Sequence, residues 1–399
     1  MAAPVPDTEA APPRGARRPL ALVVSPVRSW PPDQGNRARI AAMGRRLRAR
    51  GWSVHFLLSE LEGTPSQDAQ AAMEVQWDLV RSVPYGHERR QAYADAWGGD
   101  DWYDPAIDAA AADLVRTWSY DLCLVNYAWY GKVLEAMPPG CLRVIDTHDA
   151  FGGRHERLHA AGTTPVWFYT RPADEGRCLD RADVVIAIQE EEAAWFRDLT
   201  DRPVRVVGHA DAIPFLPPPP GEGRALRAGY LASGNPSNVQ SANELIDEWS
   251  RDPFLSARVE LHLAGQVCAA LDGRSQPFLA KHGPVPDVAA FYAGVDMAVN
   301  PNVGGSGLKI KSVEALSYGR PLFATAEGML GICDVHPPFV MPDVSAMVRA
   351  MSDHLRDHPD LAAARAWARE TYFDYRDRQV AAFDGLLDMA TGEAGTGRP

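Results

Sequence analysis

No apolar run in the sequence is long enough to cross a bilayer, so a transmembrane helix is not expected. Cysteine is scarce: Cys123, Cys141, Cys178, Cys268 and Cys333 are the five in 399 residues, and none forms a Cys-x-x-Cys pair. That spacing excludes the usual zinc signatures and a disulfide framework, and suits free thiols in a reducing cytoplasm. Positive charge is in deficit, with a formal net charge of -12, so nonspecific nucleic-acid binding is not expected. Residues 1–18, rich in Ala, Pro and Arg, lack the apolar core of a signal peptide and read as a disordered tail. What remains, 46% hydrophobic and 23% charged residues, is the balance of a water-soluble folded chain.

The length exceeds one ordinary core, and two domains are the natural expectation. "PLALVVS" at 19–25 reads as a strand, and "WSVHFLL" as the next. Between them Ile40, Met43, Gly44 and Leu47 recur at helical spacing. A strand–loop–helix–strand start of this kind opens a doubly wound sheet. "DLCLVNY", "LRVIDT", "ADVVIAI" and "VRVVG" continue it. "IPFLPPPPGEGR" then breaks the pattern, because consecutive prolines fit neither sheet nor helix interior and make a stiff spacer. After it the alternation restarts with "ALRAGYLAS", "NVQSANELIDEW", "RVELHLAG", "VDMAVN" and "PLFAT". The expected architecture is α/β: two doubly wound Rossmann-like domains, 19–212 and 225–371, face a cleft. A linker covers 213–224, and a helix over 372–393 packs back on the first domain. Residues 61–118 carry many aromatics (Trp77, Tyr85, Trp97, Trp102, Tyr103, Trp118) and read as an inserted region facing substrate.

Three loops concentrate unusual residues at the carboxyl ends of strands. Gly35 and Asn36 precede a helix whose N-terminus suits an anion. "DTHDAFGGRHER" at 146–157 places His148 and Asp149 after a strand, where His148 is a candidate substrate contact. Asp146, His148, Asp149 and His155 are also candidate metal ligands, though their spacing fits no zinc pattern. The third loop, "NPNVGGSGLKIKSVEALSYGRPLFAT", matches neither the P-loop nor the GxGxxG spacing. It still offers glycines for close backbone approach (Gly304, Gly305, Gly307), with Ser306 and Leu308 among them. Lys309 and Lys311 add charge at a helix start. Glu314, about two turns in, can reach over the loop toward a ribose diol or simply pair with Lys311 in solvent.

These residues resemble the retaining, nucleotide-sugar-dependent glycosyltransferases of family 4, which have the GT-B fold. "GSGLKIKSVEALSYGRPLFAT" is similar to that family's donor segment, in which the residue matching Glu314 binds the ribose. "EGRCLDRADVVIAIQEEEA" is similar to the stretch closing its first domain, "DTHDAF" to its histidine loop, and "PPDQGNRARIAAMGRRLRARGWSVHFLL" to its opening loop and helix. The resemblance implies sugar transfer with retention from a nucleotide diphosphate sugar, with no cofactor and no required metal. It gives His148, Asp149 and Lys311 catalytic roles. Gly35, Asn36, Gly304, Gly305, Ser306, Gly307, Leu308, Lys309 and Glu314 would hold the donor. Residues 19–212 become the acceptor side and 225–371 the nucleotide-sugar side. Two positions depart from the family: Ser306 stands where a second glutamate is common, and "LASGNPSNVQ" lacks the usual Arg and Lys. A non-catalytic partner subunit with this fold, and a metal-dependent hydrolase, are the alternative readings. The acceptor, a small molecule or glycan, is not legible. Six arginines from Arg37 to Arg50 form a basic strip for a phosphate-bearing or lipid-linked acceptor at a membrane surface, or simply a solvated face.

Overall fold

A computed structural model of the chain describes residues 17–160, 164–165, 167–210, 215–220, 223–304 and 307–392. Residues 1–16 of the expected tail, part of the linker (213, 214, 221 and 222), and Gly305 and Ser306 lie outside the described residues. Seven strands form the first sheet: β1 (Leu20–Ser25), β2 (Ser53–Ser59), β3 (Leu79–Val83), β4 (Leu122–Asn126), β5 (Leu142–Asp146), β6 (Val184–Ala187) and β7 (Val204–Val206). Six form the second: β8 (Leu226–Leu231), β9 (Val259–Ala264), β10 (Leu279–Lys281), β11 (Met297–Asn300), β12 (Leu322–Thr325) and β13 (Val340–Met341). The orders are β3-β2-β1-β4-β5-β6-β7 and β10-β9-β8-β11-β12-β13. Every neighbouring pair is parallel. All of β1, β4, β6, β11 and β12 is buried, as strands covered on both faces by helices must be. Strand order reverses between β1 and β4, and again between β8 and β11. Ligands bind in the crevice at such reversals, beyond the carboxyl ends of the strands.

The two halves expected from the proline break are therefore two doubly wound sheets. The proline stretch itself is fastened to the second domain: Leu216 N–H donates to Tyr318 O at 3.0 Å, and Arg320 donates to Pro217 O at 2.6 Å. The last helix begins earlier than position 372, at Ala362, and runs unbroken to Thr391. Its first turns place Ala364, Ala368, Tyr372 and Tyr375 in the second core, and its later turns place Phe383, Leu386 and Leu387 in the first. Where it crosses, Gly208 N–H donates to Gln379 Oε1 at 2.6 Å and Tyr375 O–H donates to His209 O at 2.9 Å. The two chain crossings between domains are thus tied side by side.

Apart from Glu62, which lines the cleft between the domains, residues 61–118 are not an insertion facing substrate. They supply the helix Gln67–Gln76, the edge strand β3 and the helix Ala106–Thr117. Trp77 stacks on Phe56 with centroids 4.6 Å apart, and Trp102 lies buried among Trp97, Trp129, Trp167 and Phe168. Their large apolar surfaces are spent in the core, where each aromatic removes 150–250 Å² or so from water.

The arginine strip is split: Arg37 and Arg39 are buried and Arg46 is half-buried, while Arg45, Arg48 and Arg50 are exposed on a solvated face. Arg37 pairs with Asp33 and Glu62, Arg39 with Asp146, and Arg50 with Asp384. Arg46 donates to Gln379 O over the Phe383 ring, and Arg48 donates to the carbonyls of Val75 and Gln76. Among the described residues no helix is long and apolar enough to cross a membrane.

Candidate active site

Loops leaving β1, β4 and β5 build the first wall. After β1 comes the helix Gly35–Ala49, with no acidic residue in its first turn and no side-chain cap from Gln34. The N–H groups of such a turn carry partial positive charge into the crevice. After β4, Tyr127 holds φ 74; after β5, His148 holds φ 64. Each costs about 1–3 kcal/mol outside glycine, so surrounding contacts must hold it. The two rings stack with centroids 4.4 Å apart and planes at 19°. Asn36 Nδ2 donates to Tyr127 Oη at 3.0 Å, tying the helix start to the stack.

Asn126 decides the histidine's tautomer. Its Nδ2 donates to Val24 O at 3.1 Å, which turns its Oδ1 toward His148 Nε2 at 2.8 Å. Nε2 therefore carries the proton and Nδ1 is left as an acceptor. Burial pulls His148 down to about 4; the Asp146 carboxylate opposes this and Arg39 adds to it. The ring is neutral at neutral pH, a group that meets hydroxyls and not a cation. Beneath it Asp146 and Arg39 form a buried bidentate pair, Nε to Oδ2 at 2.8 Å and Nη2 to Oδ1 at 2.7 Å. Asp149 accepts from Arg154 and from the Ala150 N–H. Glu175 fastens the loop by accepting from the N–H groups of Phe151 at 2.7 Å and Gly152 at 2.9 Å.

The second wall follows β11. Gly307, at φ 79, takes a backbone that glycine adopts without strain. The helix Ile310–Ser317 again starts without an acidic residue or a side-chain cap. Gly304 O accepts from Ser237 Oγ at 2.7 Å and Asn302 Nδ2 at 2.9 Å, fixing the loop to the helix Pro236–Arg251. Lys309 Nζ donates to Gly307 O at 2.8 Å and pairs with Glu327 at 3.1 Å. Lys311 Nζ donates to Asn238 Oδ1 at 2.5 Å and Asn302 Oδ1 at 3.0 Å, 5.2 Å from the Tyr230 ring centre. Burial lowers Lys311 to about 7, Lys309 lowers it further, and Glu314 opposes.

The walls meet in a cleft of about 340 Å³ that brings together Gly35, Asn36, His148, Asp149, Gly307 and Leu308. Gly35 and Ile310 are the first residues of their helices, and a Cβ on Gly35 would stand 3.1 Å from Ile310 Cδ1. Two helix N-termini without an N-cap side chain therefore converge across the cleft, although Asn36 Oδ1 accepts from the Arg37 N–H at 2.9 Å and the Ser312 N–H donates to Lys309 O at 2.8 Å. Gly304, Lys309, Lys311 and Glu314 do not line this cleft. The ammonium of Lys311 lies behind the loop, against the start of the helix Pro236–Arg251. Asp146, His148, Asp149 and His155 do not assemble as ligands: Arg39 and Arg154 hold the two aspartates, and the His155 ring lies against Tyr169, centroids 5.0 Å apart. Among the described residues no group of three or more His, Cys, Asp or Glu is placed to hold a metal ion.

Sequence reasoning missed Asn126, Tyr127 and Arg39. Arg39 left a signal: it sits four residues before Met43, on the apolar face of its helix, where a charge demands a buried partner.

Residues 227–357 match the family model Glycosyl transferases group 1. The matched stretch covers most of the second domain, from β8 to the helix Val344–Asp357. No curated protein matches the chain in sequence. Among solved structures it is similar to the sucrose-phosphate synthase of Thermosynechococcus elongatus, at 16% identity and TM-score 0.63 over 94% of this chain and 97% of that one. It is similar to HepE of Anabaena in complex with UDP and glucose, at 14% identity and TM-score 0.63 over 94% and 100%. TarM of S. aureus, in a complex that includes UDP, gives 8% identity and TM-score 0.65 over 93% and 99%. At these identities the likeness shows the fold, which is GT-B across both domains, with the last helix crossing back to the first.

Proposed function

We propose that the chain is a retaining glycosyltransferase that moves a hexosyl group from a nucleotide diphosphate sugar to an acceptor held against the first domain. The observation that carries this reading is the convergence of two helix N-termini without an N-cap side chain, at Gly35 and Ile310, in one cleft. A diphosphate between them meets partial positive charge from both domains, and needs no metal to stabilise it as it leaves. Lys311, behind the loop, adds a cation that burial leaves poised near neutrality. HepE is bound to UDP in one structure and to UDP-glucose in another, which supports a donor of that class. In this reading Glu314 accepts from the ribose and His148 Nδ1 accepts from a sugar hydroxyl. Asp149, held by Arg154, borders the place where sugar and acceptor meet. The acceptor rests near Tyr127, Phe151 and Trp167, an aromatic wall suited to a glycan or a flat small molecule. The free cysteines fit a cytoplasmic enzyme.

Calorimetric titration with nucleoside diphosphates, followed by assay of nucleotide-sugar turnover and of the product anomer, tests the reading. Glu314→Ala is expected to weaken diphosphate binding about 10- to 100-fold, the loss of a charge-assisted hydrogen bond of roughly 1.5–3 kcal/mol. Diphosphate binding unchanged by that substitution overturns the donor-site assignment. Binding without turnover points to a non-catalytic relative, and an inverted anomer excludes retention.

A further inference from the structure

Glu192 lies in the helix Glu190–Arg197 that follows β6, and only 5% of it is exposed. Neither carboxylate oxygen has a well-formed hydrogen bond among the described residues; the Ile188 backbone gives at most a weak one. Its Oε1 stands 3.6 Å from the place a Cβ on Gly307 would occupy. Its neighbour Gln189, 3% exposed, also has an unpartnered Oε1, 2.9 Å from the Cβ position of Gly331. The first domain thus seals an acid and an amide oxygen against glycines of the second domain, at the edge of the cleft.

An ionised carboxylate sealed in this way is costly unless a cation pairs with it. The surroundings supply none. Asp149, from the loop after β5, and Glu175, from the helix Pro172–Leu179, are acidic neighbours and offer no positive charge. Arg39 is committed to Asp146, Arg154 to Asp149, and Lys309 across the seam to Glu327. Glu190 and Glu191 on the same helix face solvent. Burial, then Asp149, hold the Glu192 carboxyl well above the usual carboxylate range; the Ile188 backbone and Arg39 offset part of this, and Glu175 adds to it. Separating the domains would return the group to water, where a glutamate ionises near pH ~4.3.

We propose that Glu192 is a positioning residue of the cleft: while it carries its proton the first domain docks on the Gly307 loop, and when it ionises the docking loosens. The docked form holds the proton more tightly than the separated form. Docking is therefore strongest on the acid side. It weakens steadily as pH rises from the ordinary carboxylate range to the raised value of the docked form, and is constant beyond it. The argument rests on the seam alone and stands whether or not the cleft transfers sugars.

Small-angle X-ray scattering of the full chain at about pH 5.5 and about pH 8.5 tests it, with hydrogen exchange of the Leu308 and Ile310 amides as a second readout. The wild type is expected to show a larger radius of gyration and faster exchange at the higher pH. Glu192→Gln, which keeps the shape of the neutral acid, is expected to stay compact and protected at both. Glu192→Leu, also uncharged, is the second variant should the glutamine form fail to fold, and is expected to lose the pH response too. Wild type and variants that respond alike, or a wild type that does not respond, would overturn the proposal.

Discussion

Tyr127 and His148 stack ring on ring, 4.4 Å between centroids, and each holds a left-handed backbone at the end of one of two adjacent strands. The stack fixes the histidine's plane from one side while Asn126 fixes its tautomer from the edge. Tyr127→Ala removes the stack and the Asn36 contact together. Turnover of a nucleotide sugar is expected to fall about 10- to 100-fold, as for a substrate-orienting group displaced by an ångström or so. Nucleoside diphosphate affinity should fall less, because the Ile310 helix start on the other domain is untouched and only the Asn36 side of the diphosphate site loses a contact. Tyr127→Phe keeps the stack and should retain most activity. Steady-state kinetics beside calorimetry separate these outcomes, and a loss of affinity equal to the loss of turnover would count against a purely orienting role.

Arg39 and Asp146 form an ion pair with side chains 1% and 0% exposed. Arg39→Ala leaves a buried carboxylate without its partner, and stability is expected to drop by about 3–5 kcal/mol. Asp146→Asn also removes the counter-charge and turns an amide N–H toward a guanidinium N–H, so a loss of similar size is expected. Urea unfolding of the two variants gives the comparison, and a loss well under about 3 kcal/mol in both would mean that charge pairing is not what holds this site.

Lys311 gives a pH signature. Burial draws its folded value from 10.5 to about 7, so between those limits the unfolded chain binds a proton that the folded one does not. Stability from this group is whole above 10.5, declines as pH falls toward 7, and is lost below that. A diphosphate arriving beside the ammonium reverses the trend, because the charged form gains a partner. At about pH 8 binding is expected to draw protons from solution, so that the calorimetric heat depends on the buffer's ionisation enthalpy. Lys311→Met should abolish that dependence. A wild-type heat that is the same in all buffers would remove Lys311 from the diphosphate site.

The sequence shows the two sheets clearly, because strands buried on both faces read as unbroken apolar runs, and the proline break separates them. His148 and the glycine-rich loop were legible for a related reason: each follows such a run, at the end of a strand where a doubly wound sheet exposes its crevice. What stayed hidden depends on neighbours distant in the chain. Trp77 and Trp102 look the same in sequence whether they line a cleft or fill a core. The arginines of the first helix look like a free basic face until Asp146 and Asp384 are seen beside them. Tyr127 gains its role only because β4 lies between β1 and β5, which no local pattern reveals. Glu192 reads as one of three consecutive glutamates at a helix start, and only the facing glycine loop distinguishes it from the other two.

The hydrogen bonds of Gly208 and His209 to Gln379 and Tyr375 tie the two interdomain crossings to each other along one line. Two bodies joined along one line can turn about it but cannot slide apart. Any relative movement of the domains is then a swing, small near Gln379 and larger with distance from it. The gap that a substrate meets is set by an angle at this line, and a substitution at Gln379, which touches no substrate in this reading, would change how stiffly the cleft opens.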